Sequence, residues 1–359
     1  MMKRTTQNRF KALTSAWVLT MTATVAWSQS LTWLGVLPGG DWSWAYGVSA
    51  DGAVVVGEAI NAAGQRRAFR WENGVMQDLG TLGGDWSAAF GVSADGAVVV
   101  GGSYNAAGRG RAFRWTASGG MQNLGTLGSD WSWAYGVSAD GSVVVGWSHN
   151  AAGQWRAFRW TASGGMQDLG TLDGYGSDAY GVSADGSVVV GWARNAAGQL
   201  RAFRWTASGG MQDLGTLPGG NRSEAWGVSA DGSVVVGWAG GRAFRWTASG
   251  GMEDLNTTYA SLLTNGSVLI EARAISPDGR YIVGWGYNAA TGRTEAFLLD
   301  TGFPPRGDVD RNGCVDDADL LAVLFAFGGQ GYRNEDLNWD GTIDDADLLQ
   351  VLFNFGSGC

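Results

Sequence analysis

The segment GVSADGSVVVGW at residues 136–147 decides the fold, because close copies of it recur along most of the chain. Its Asp-Gly pair supplies the positive φ that a tight hairpin turn needs, and the valines that follow are apolar on both faces of a strand. Copies of Gly-Val-Ser-Ala-Asp-Gly begin at Gly47, Gly91, Gly136, Gly181 and Gly227, and a diverged copy begins at Ala274. The steps of 44 to 47 residues define six units.

Each unit is predicted to form four short β-strands, which in the first unit cover residues 44–48, 53–57, 67–71 and 76–82. A period of about 45 residues with four strands is typical of a propeller blade. We therefore predict a mainly β chain with a six-bladed β-propeller over residues 29–301. A β-solenoid and a pair of β-sandwiches are the alternatives.

The two ends of the repeat region predict how the ring closes. Residues 31–37 occupy the place of a fourth strand, yet they precede the first unit, and the sixth unit stops at Leu299 without a fourth strand of its own. Pairing of the first segment with the last blade would leave few exposed strand edges. We expect residues 31–37 to complete the sixth blade.

The Arg-Ala-Phe strands, the Asp-Gly turns with their Val-Val-Val-Gly strands and the Met-Gln-Asp-Leu-Gly strands resemble the bacterial extracellular HAF-type repeat family. That family is named for His-Ala-Phe; in this chain Arg replaces His in five units and Glu replaces it in the sixth. The resemblance covers residues 31–299. It implies a secreted repeat protein and brings no catalytic residues with it.

Residues 1–28 are predicted to be a secretory signal peptide. Four basic residues precede an apolar run over residues 12–25, and Ala26-Trp27-Ser28 offers a small-x-small cleavage pattern. A membrane anchor is the alternative, but the run is short and broken by Thr and Ser. Cleavage would change the net charge from −9 to −13, which disfavours a nucleic-acid partner. We expect a chain without a membrane span after cleavage, outside the cell or at its surface.

The variable positions before each first strand carry aromatic and acidic residues. In a propeller these loops share one face with the Asn-Ala-Ala-Gly loops. Aromatic rings beside carboxylates suit glycans, whose C–H faces stack on rings while their hydroxyls bond to acids. The candidate ligand residues are Asp41, Trp42, Trp44, Trp86, Trp131, Trp133 and Tyr175. Packing of these rings as caps on the blades is the alternative.

Most repeated residues are expected to stabilise the propeller, because an active site occurs once in a protein and not in every repeat. Phe69 and Trp71 should pack between blades, and Arg70 should stack or pair locally, with Asp78 as one candidate partner. The single histidine, His149, occupies a position that varies between units and is expected in an exposed loop.

Three acidic residues without a counterpart in the other repeats leave an enzyme as an alternative hypothesis. Asp178, Glu224 and Glu271 stand at unrepeated positions, and a glycosidase needs only a pair of carboxylates. The sequence does not specify their separation. An insertion at residues 256–264 adds a further loop.

The acidic C-terminal region contains two twelve-residue loops in register, 28 residues apart, each running into an apolar helix predicted at residues 320–327 and 348–355. Oxygen side chains fall at positions 1, 3, 5, 9 and 12, with Gly at position 6 for the sharp turn, as in EF-hand-type Ca²⁺ loops. We predict two Ca²⁺ ions. The predicted ligands, with position 7 included, are Asp308, Asp310, Asn312, Cys314, Asp316 and Asp319, then Asp336, Asn338, Asp340, Thr342, Asp344 and Asp347.

The paired loop-helix pattern resembles a type I dockerin over residues 307–359, joined to the repeats by a linker at residues 302–306. The resemblance implies binding to a cohesin-like domain on a cell-surface or scaffolding protein, and it implies polysaccharide-degrading assemblies. Loop positions 10 and 11, which carry recognition in that family, are Asp317, Ala318, Asp345 and Ala346. A calcium-stabilised domain without a partner is the alternative.

Cys314 and Cys359 are the only cysteines of the chain, and a secreted chain with two cysteines predicts one disulfide. Two free thiols and an intermolecular bridge are the alternatives. Taken together, these features predict a secreted, non-catalytic binding or display protein. The rival hypothesis is a carbohydrate-active enzyme of the glycoside hydrolase type, or a component of a polysaccharide-degrading complex.

Overall fold

The computed structural model describes residues 31–359, so the predicted signal peptide lies outside the described residues. No helix within this range combines the length and apolarity that crossing a membrane requires. The strands form six antiparallel sheets in which neighbours in sequence pair in order. Five of these sheets have four strands and the sixth has three. The prediction of a mainly β chain built from six repeated units is confirmed.

The first three sheets are blades 1 to 3, and the inner strand of blade 1 is shorter than those of blades 2 and 3. Their strands are β1 Ser43–Val48, β2 Val54–Ile60, β3 Arg66–Glu72 and β4 Val75–Asp78; β5 Gly83–Val92, β6 Val98–Asn105, β7 Gly110–Thr116 and β8 Gly120–Asn123; and β9 Gly128–Val137, β10 Val143–Asn150, β11 Trp155–Thr161 and β12 Gly165–Asp168.

Blades 4 to 6 continue the pattern until the last strand. They are β13 Asp173–Val182, β14 Val188–Asn195, β15 Leu200–Thr206 and β16 Gly210–Asp213; β17 Ser223–Val228, β18 Val234–Ala239, β19 Arg242–Thr247 and β20 Gly251–Asp254; and β21 Val268–Ile275, β22 Tyr281–Asn288 and β23 Arg293–Asp300.

The inner strands of all six blades meet around one central cavity, as the axis of a propeller requires. The hairpin turns also link consecutive blades by backbone hydrogen bonds. Ala50 N donates to Ala94 O at 3.0 Å, Ala94 N donates to Ala139 O at 3.0 Å, and the series continues to Pro277 O in blade 6. The arrangement is that of a six-bladed β-propeller.

Local hydrogen bonds explain why the Ser-x-Asp-Gly segments turn. In blade 3 the Ser138 hydroxyl bonds to Asp140 Oδ1 at 2.6 Å and accepts the N–H of Val143 at 3.0 Å. Gly141 has a φ of 71°, which glycine adopts without the steric cost that a Cβ would bring. These repeated acids therefore serve the hairpins.

Apolar side chains fill the space between successive blades. Between blades 3 and 4, Val145 and Ala157 pack against Ala179 and Phe203, and all four are fully buried. The expectation that Phe69 and Trp71 pack between blades is wrong: Phe69 is fully buried against Leu37 and Ala59, and Trp71 is half-buried beside it. The equivalent Phe113 of blade 2 does pack against Val54 and Val56 of blade 1. Burial of a phenylalanine contributes about 1.5–3 kcal/mol, and the chain repeats this contact in successive blades.

The expected partner of Arg70 is wrong. Its Nε donates to Gly96 O of blade 2 at 3.1 Å, and its Nη1 pairs with Glu72 at 2.9 Å. Asp78 instead lies 3.9 Å from the Nε of Arg67. The reason is strand alternation, which turns Arg70 toward the hairpin of the next blade.

The predicted closure of the ring is also wrong. The sixth sheet has three strands, and residues 31–36 lie outside any strand, with Leu31 79% and Trp33 87% exposed. Leu37 is 1% exposed and packs against Ala59 and Phe69 of blade 1. Leu37 thus takes in blade 1 the place that a repeated leucine takes in the later blades.

Two helices follow the calcium-type loops, α2 Asp317–Ala326 and α3 Asp345–Asn354. They begin three residues earlier than predicted because Asp316 and Asp344 act as N-caps in capping boxes. A short helix, α1 Leu255–Thr258, and a 3₁₀ turn, Ala260–Leu262, occupy the insertion after blade 5.

The C-terminal region has its own small core and its own cross-link. Val309, Val315, Val323, Ile343 and Val351 form one buried cluster between the loops and the helices. The predicted disulfide between Cys314 and Cys359 is confirmed, with the two Cα atoms 4.6 Å apart. The bridge ties the first loop to the last residue of the sequence.

Candidate binding sites

The loops before the inner strands and the Asn-Ala-Ala-Gly loops lie at the same end of the blades. In blade 3, Gly128 at the start of β9 pairs with Asn150 at the end of β10, and Gly83 pairs with Asn105 in blade 2. The predicted aromatic residues therefore share one face. We call it the aromatic face and define it by Trp42, Trp44, Trp86, Trp131, Trp133 and Tyr175.

Blades 2 and 3 contribute Trp86, Trp131 and Trp133 to the aromatic face, and these three rings form one contact cluster with Tyr104. The ring centroids of Trp86 and Trp133 lie 4.8 Å apart, edge to face. Tyr104 lies 5.4 Å from Trp86 and 5.9 Å from Trp131. A Cβ on Gly102 would lie 1.5 Å from Cε3 of Trp133, so this glycine leaves the space that Trp133 occupies. All four rings are half-buried, so each packs on its neighbours and keeps part of its surface open.

Blade 1 presents a second, more open pair of rings. Trp42 and Trp44 lie 4.7 Å apart between centroids, and the guanidinium of Arg66 lies 5.4 Å from the ring of Trp42. Trp44 is 53% exposed, and Asp41 beside the pair is exposed as well. The expected juxtaposition of aromatic and acidic side chains is present here.

Sequence reasoning missed a third group, on blade 3. The centroids of Trp147 and Trp155 lie 4.1 Å apart, and His149 lies 5.2 Å from Trp147. The prediction of an exposed loop for His149 is wrong, because it is half-buried at the end of β10. Next to this group, the guanidinium of Arg194 lies 4.8 Å from the ring of Tyr175, which is 59% exposed.

Five aromatic side chains and one arginine stand at equivalent positions of the six inner strands and contact one another in series; two of them, Trp226 and Arg273, line the central cavity. We call this set the channel ring and define it by Tyr46, Phe90, Tyr135, Tyr180, Trp226 and Arg273. Neighbouring centroids lie 5.6–5.7 Å apart from Tyr46 to Tyr180, and Tyr180 stacks on Trp226 at 4.4 Å. The guanidinium of Arg273 lies 4.3 Å from the ring of Trp226.

The three acids without repeat counterparts stand two residues before the channel ring in blades 4, 5 and 6. Asp178 is 4% exposed, and its Oδ1 has no hydrogen-bond partner within residues 31–359. Burial raises the pKa of Asp178 well above its usual value, and the charge of Glu224 adds to the shift. Burial, followed by the charge of Glu271, raises the pKa of Glu224. Glu271 pairs through Oε1 with the Nε of Arg273.

Blade 1 holds a fourth buried acid, which sequence reasoning missed. Glu58 is 4% exposed and accepts a hydrogen bond of 2.9 Å from the Tyr46 hydroxyl. Burial and this bond raise the pKa of Tyr46 to about 12. In blades 3 and 4 the equivalent strand position carries Trp147 and Trp192. The replacement of this tryptophan by Glu58 in blade 1 is the sequence signal that could have identified the buried acid.

The first calcium-type loop brings three predicted ligands together. Carboxylate oxygens of Asp308, Asp310 and Asp319 lie within 4.8 Å of one another. Asp308 is buried, and its Oδ1 has no hydrogen-bond partner in the described part of the chain. Asp316 accepts the N–H of Ala318 at 2.8 Å, and Asn312 accepts the N–H of Cys314 at 2.8 Å. The donor set consists of hard oxygens, which fits Ca²⁺.

The second loop repeats the hydrogen bonds of the first. Asp347 is buried and accepts the N–H groups of Leu337 at 2.7 Å and Asp344 at 2.9 Å. Asp336 accepts the N–H of Gly341 at 2.8 Å, and burial raises the pKa of Asp336 to about 6. The other predicted ligands at this loop are Asn338, Asp340 and Thr342, all at the predicted loop positions. Among residues 31–359, only the first loop gathers three acids as closely as 4.8 Å.

The predicted partner-binding residues are all exposed at the starts of the two helices. They are Asp317, Ala318, Asp345 and Ala346. An apolar surface that sequence reasoning missed continues from them along both helices. Its most open members are Phe325, 86% exposed, and Phe353, 81% exposed, at equivalent positions.

Comparison with known proteins identifies no family. No family model matches the chain, and no curated protein matches it. Among solved structures, a putative TolB from Agrobacterium tumefaciens is 15% identical with a TM-score of 0.45, over 72% of this chain and 90% of that one.

Two further solved structures are similar at the same low level. The TolB structure from Acinetobacter baumannii is 16% identical with a TM-score of 0.43, and the match covers 58% of this chain and about half (53%) of that one. A gluconolactonase, XC5397 from Xanthomonas campestris, is 14% identical with a TM-score of 0.40, over 74% of this chain and 88% of that one. With TM-scores below 0.5, these likenesses carry no argument about this chain.

Proposed function

We propose that this chain is a non-catalytic binding and display protein whose propeller binds glycans on the aromatic face. The observation that supports the proposal is the grouping of partly open rings along one end of four blades, with Asp41 and Arg66 beside Trp42 and Trp44. Partly packed rings are held in fixed orientations, so a flat sugar face can stack on them without a large ordering cost. The rim charges supply hydrogen bonds for hydroxyl groups.

A glycan array on the purified chain, followed by titration calorimetry with the best ligand, tests this proposal. Trp42→Ala with Trp131→Ala should weaken binding by at least about tenfold and leave the fold intact. Trp71→Ala is the matched control, because Trp71 is a half-buried tryptophan at the opposite end of blade 1. Unchanged binding in the double variant would contradict a role for these tryptophans in glycan binding. Loss of folding would show instead that they serve to pack the blades.

We also propose that the protein is secreted. The basic and apolar pattern of residues 1–28 supports export. N-terminal sequencing of the exported protein should give a mature chain that begins after Ser28. Recovery of an uncleaved chain in the membrane fraction would support the anchor instead.

We propose that the C-terminal module binds two Ca²⁺ ions through the twelve loop residues named above. The converging carboxylates of Asp308, Asp310 and Asp319 support this role, and so does the buried Oδ1 of Asp308. Calcium bound there would neutralise the repulsion between these carboxylates. The chain's own residues supply the cage, and the N–H groups that bond to Asp319 hold its carboxylate in place.

The same module is proposed to dock on a cohesin-like domain of a cell-surface or scaffolding protein. Exposed residues at the starts of both helices, together with the apolar surface around Phe325 and Phe353, support docking, since large exposed apolar patches mark interaction sites. Calorimetry with purified cohesin domains should show calcium-dependent binding that Phe325→Ser with Phe353→Ser weakens. A module that binds calcium but no cohesin would be a stability domain without a partner.

A carbohydrate-active enzyme is the second candidate, and Asp178 favours it. A buried carboxyl with a raised pKa next to a second acid, Glu224, is the arrangement in which one group donates a proton and the other acts as base. A hydrolysis screen on glycans that bind should then show turnover that Asp178→Asn abolishes. Binding without turnover supports the non-catalytic role.

A further inference from the structure

The channel cavity has a volume of about 270 Å³ and is lined by all six inner strands. Most of its wall is glycine backbone and aliphatic side chain, of which Val48 and Val137 are examples. Two polar side chains also line it, Trp226 in blade 5 and Arg273 in blade 6. A largely apolar pocket with a few placed polar groups is the usual form of a small-molecule site.

Both polar groups carry N–H donors that have no acceptor among residues 31–359. The Nε1 of Trp226 is buried and has no hydrogen-bond partner within residues 31–359. A buried N–H without a partner costs about 1–3 kcal/mol, so a position of this kind is retained where something else accepts the bond. The side chain of Arg273 is 51% exposed, and its one ion pair in the described chain uses Nε, which leaves the Nη groups available.

Arg273 stands at a position that carries an aromatic residue in the other blades, so this arginine breaks the repeat at the channel. Glu271 holds its Nε, and the face of Trp226 lies 4.3 Å from its guanidinium. Both contacts place the guanidinium beside the indole ring of Trp226.

We propose that the channel cavity binds a small organic carboxylate, whose oxygens accept from Arg273 and Trp226 and whose apolar body lies against the valine wall. Donors without acceptors beside the cavity favour a ligand that carries acceptors. A carboxylate forms charge-assisted, bidentate contacts with a guanidinium. The inference is independent of glycan binding, since the cavity lies on the axis and the aromatic face lies on the loops.

Acidic side chains near Arg273 could instead favour a cationic ligand, which is the competing outcome of the test. Glu224 and Glu271 lie close to Arg273, and their charges would favour an amine if the guanidinium were fully neutralised. Arg222 contributes a second positive charge near Glu224. The charge of the ligand that binds more tightly therefore distinguishes a carboxylate site from an amine site.

Titration calorimetry on the full chain with butyrate and hexanoate, and with butyramide and butylamine as matched probes, tests the inference. The carboxylates should bind at least about tenfold more tightly than the amide or the amine. Arg273→Gln should weaken carboxylate binding at least about tenfold, and Trp226→Phe, which keeps the ring and removes the N–H, should weaken it several-fold. Melting temperatures of both variants show whether the fold survives.

Two control variants complete the design. Trp71→Phe removes an indole N–H far from the channel, and Arg293→Gln removes a charge at the start of β23; both should bind carboxylates as the parent chain does. Absence of carboxylate binding would overturn the inference, as would tighter binding of butylamine or an unchanged affinity in a folded Arg273→Gln variant. None of these outcomes depends on whether the aromatic face binds glycans.

Discussion

Arg311 Nη1, in the first calcium-type loop, donates a hydrogen bond of 2.6 Å to the carboxylate of Asp231, in the hairpin turn of blade 5. The same group donates to the Ser233 hydroxyl at 3.1 Å. Both members of the ion pair are largely buried, at 18% and 22% exposure. One of the repeated hairpin acids therefore holds the C-terminal module on the propeller, whereas Asp140 and Asp185 bond only within their own turns.

Loss of the Arg311–Asp231 pair should loosen the module. Arg311→Ala should increase the rate at which a protease cuts residues 302–306, because a largely buried charge loses its partner. Asp231→Asn should do the same and should cost more stability than Asp185→Asn, the matched change in a turn without an arginine. Equal effects of the two asparagine variants, measured by thermal unfolding, would contradict a role for the ion pair.

The parent chain should bind two Ca²⁺ ions, and a substitution of one ligand in either loop should reduce the stoichiometry to one. Asp310→Ala removes an exposed ligand of the first loop, and Asp340→Ala removes one from the second, so each should leave one site in titration calorimetry. Asp317→Ala removes an exposed acid that is not a predicted ligand and should leave two. A stoichiometry near zero in the parent chain would contradict the proposal.

The calcium-free module should be less stable at pH 7 than at pH 4.5. Burial raises the pKa of Asp336 to about 6 in the folded state, so folding costs free energy once this group must ionise. The cost is absent below the usual value near 3.8, grows as the pH rises, and is complete above about 6. In chelator, Asp336→Asn should raise the melting temperature at pH 7 and have a smaller effect at pH 4.5. A parent chain whose module melts at the same temperature at both pH values would contradict the shift.

Asp178 and Asp185 should show opposite dependence on pH. Burial raises the pKa of Asp178, so its penalty is absent below about 4 and grows as the pH rises. Burial also acts on Asp185, but hydrogen bonds from Ser183 and Ser187 outweigh it and lower the pKa, so its stabilisation is lost as the pH falls. At pH 7, Asp178→Asn should therefore raise the melting temperature of the propeller and Asp185→Asn should lower it. The same sign for both variants would contradict these environments.

Leu37→Ala should destabilise blade 1 by about 2–5 kcal/mol, because a buried leucine leaves a cavity beside Ala59 and Phe69. Leu31→Ala is the matched control: its side chain is 79% exposed and should cost less than about 0.5 kcal/mol. Denaturant unfolding measures both values. A large cost for Leu31→Ala would instead support a fourth strand in the sixth blade.

The repeat could be predicted from sequence because its structure depends on neighbours within a few residues. Ser138, Asp140 and Gly141 form their turn with bonds that span two to five positions, and the valines that follow are apolar whichever blade they join. The loop-helix units are local in the same sense, since Asp316 caps the helix that begins beside it. The pairing of Cys314 with Cys359 followed from there being only two cysteines.

The features that long-range packing determines were missed or wrong. Arg70 reaches the next blade rather than Asp78, and Leu37 packs in blade 1 while residues 31–36 form no strand. The unsatisfied Nε1 of Trp226 beside Arg273 exists only because two inner strands 47 residues apart meet at the axis.

The sequence by itself therefore determined the strand units, their number, the hairpin turns and the two loop-helix segments, because hydrogen bonding and apolar periodicity act over a few residues. Tertiary structure alone decided which surfaces are buried together. The ion pair between Asp231 and Arg311, 80 residues apart, arises in this way, and so does the channel cavity. The physical reason is that desolvation and ion pairing depend on distances across the folded chain, which spacing along the sequence does not specify.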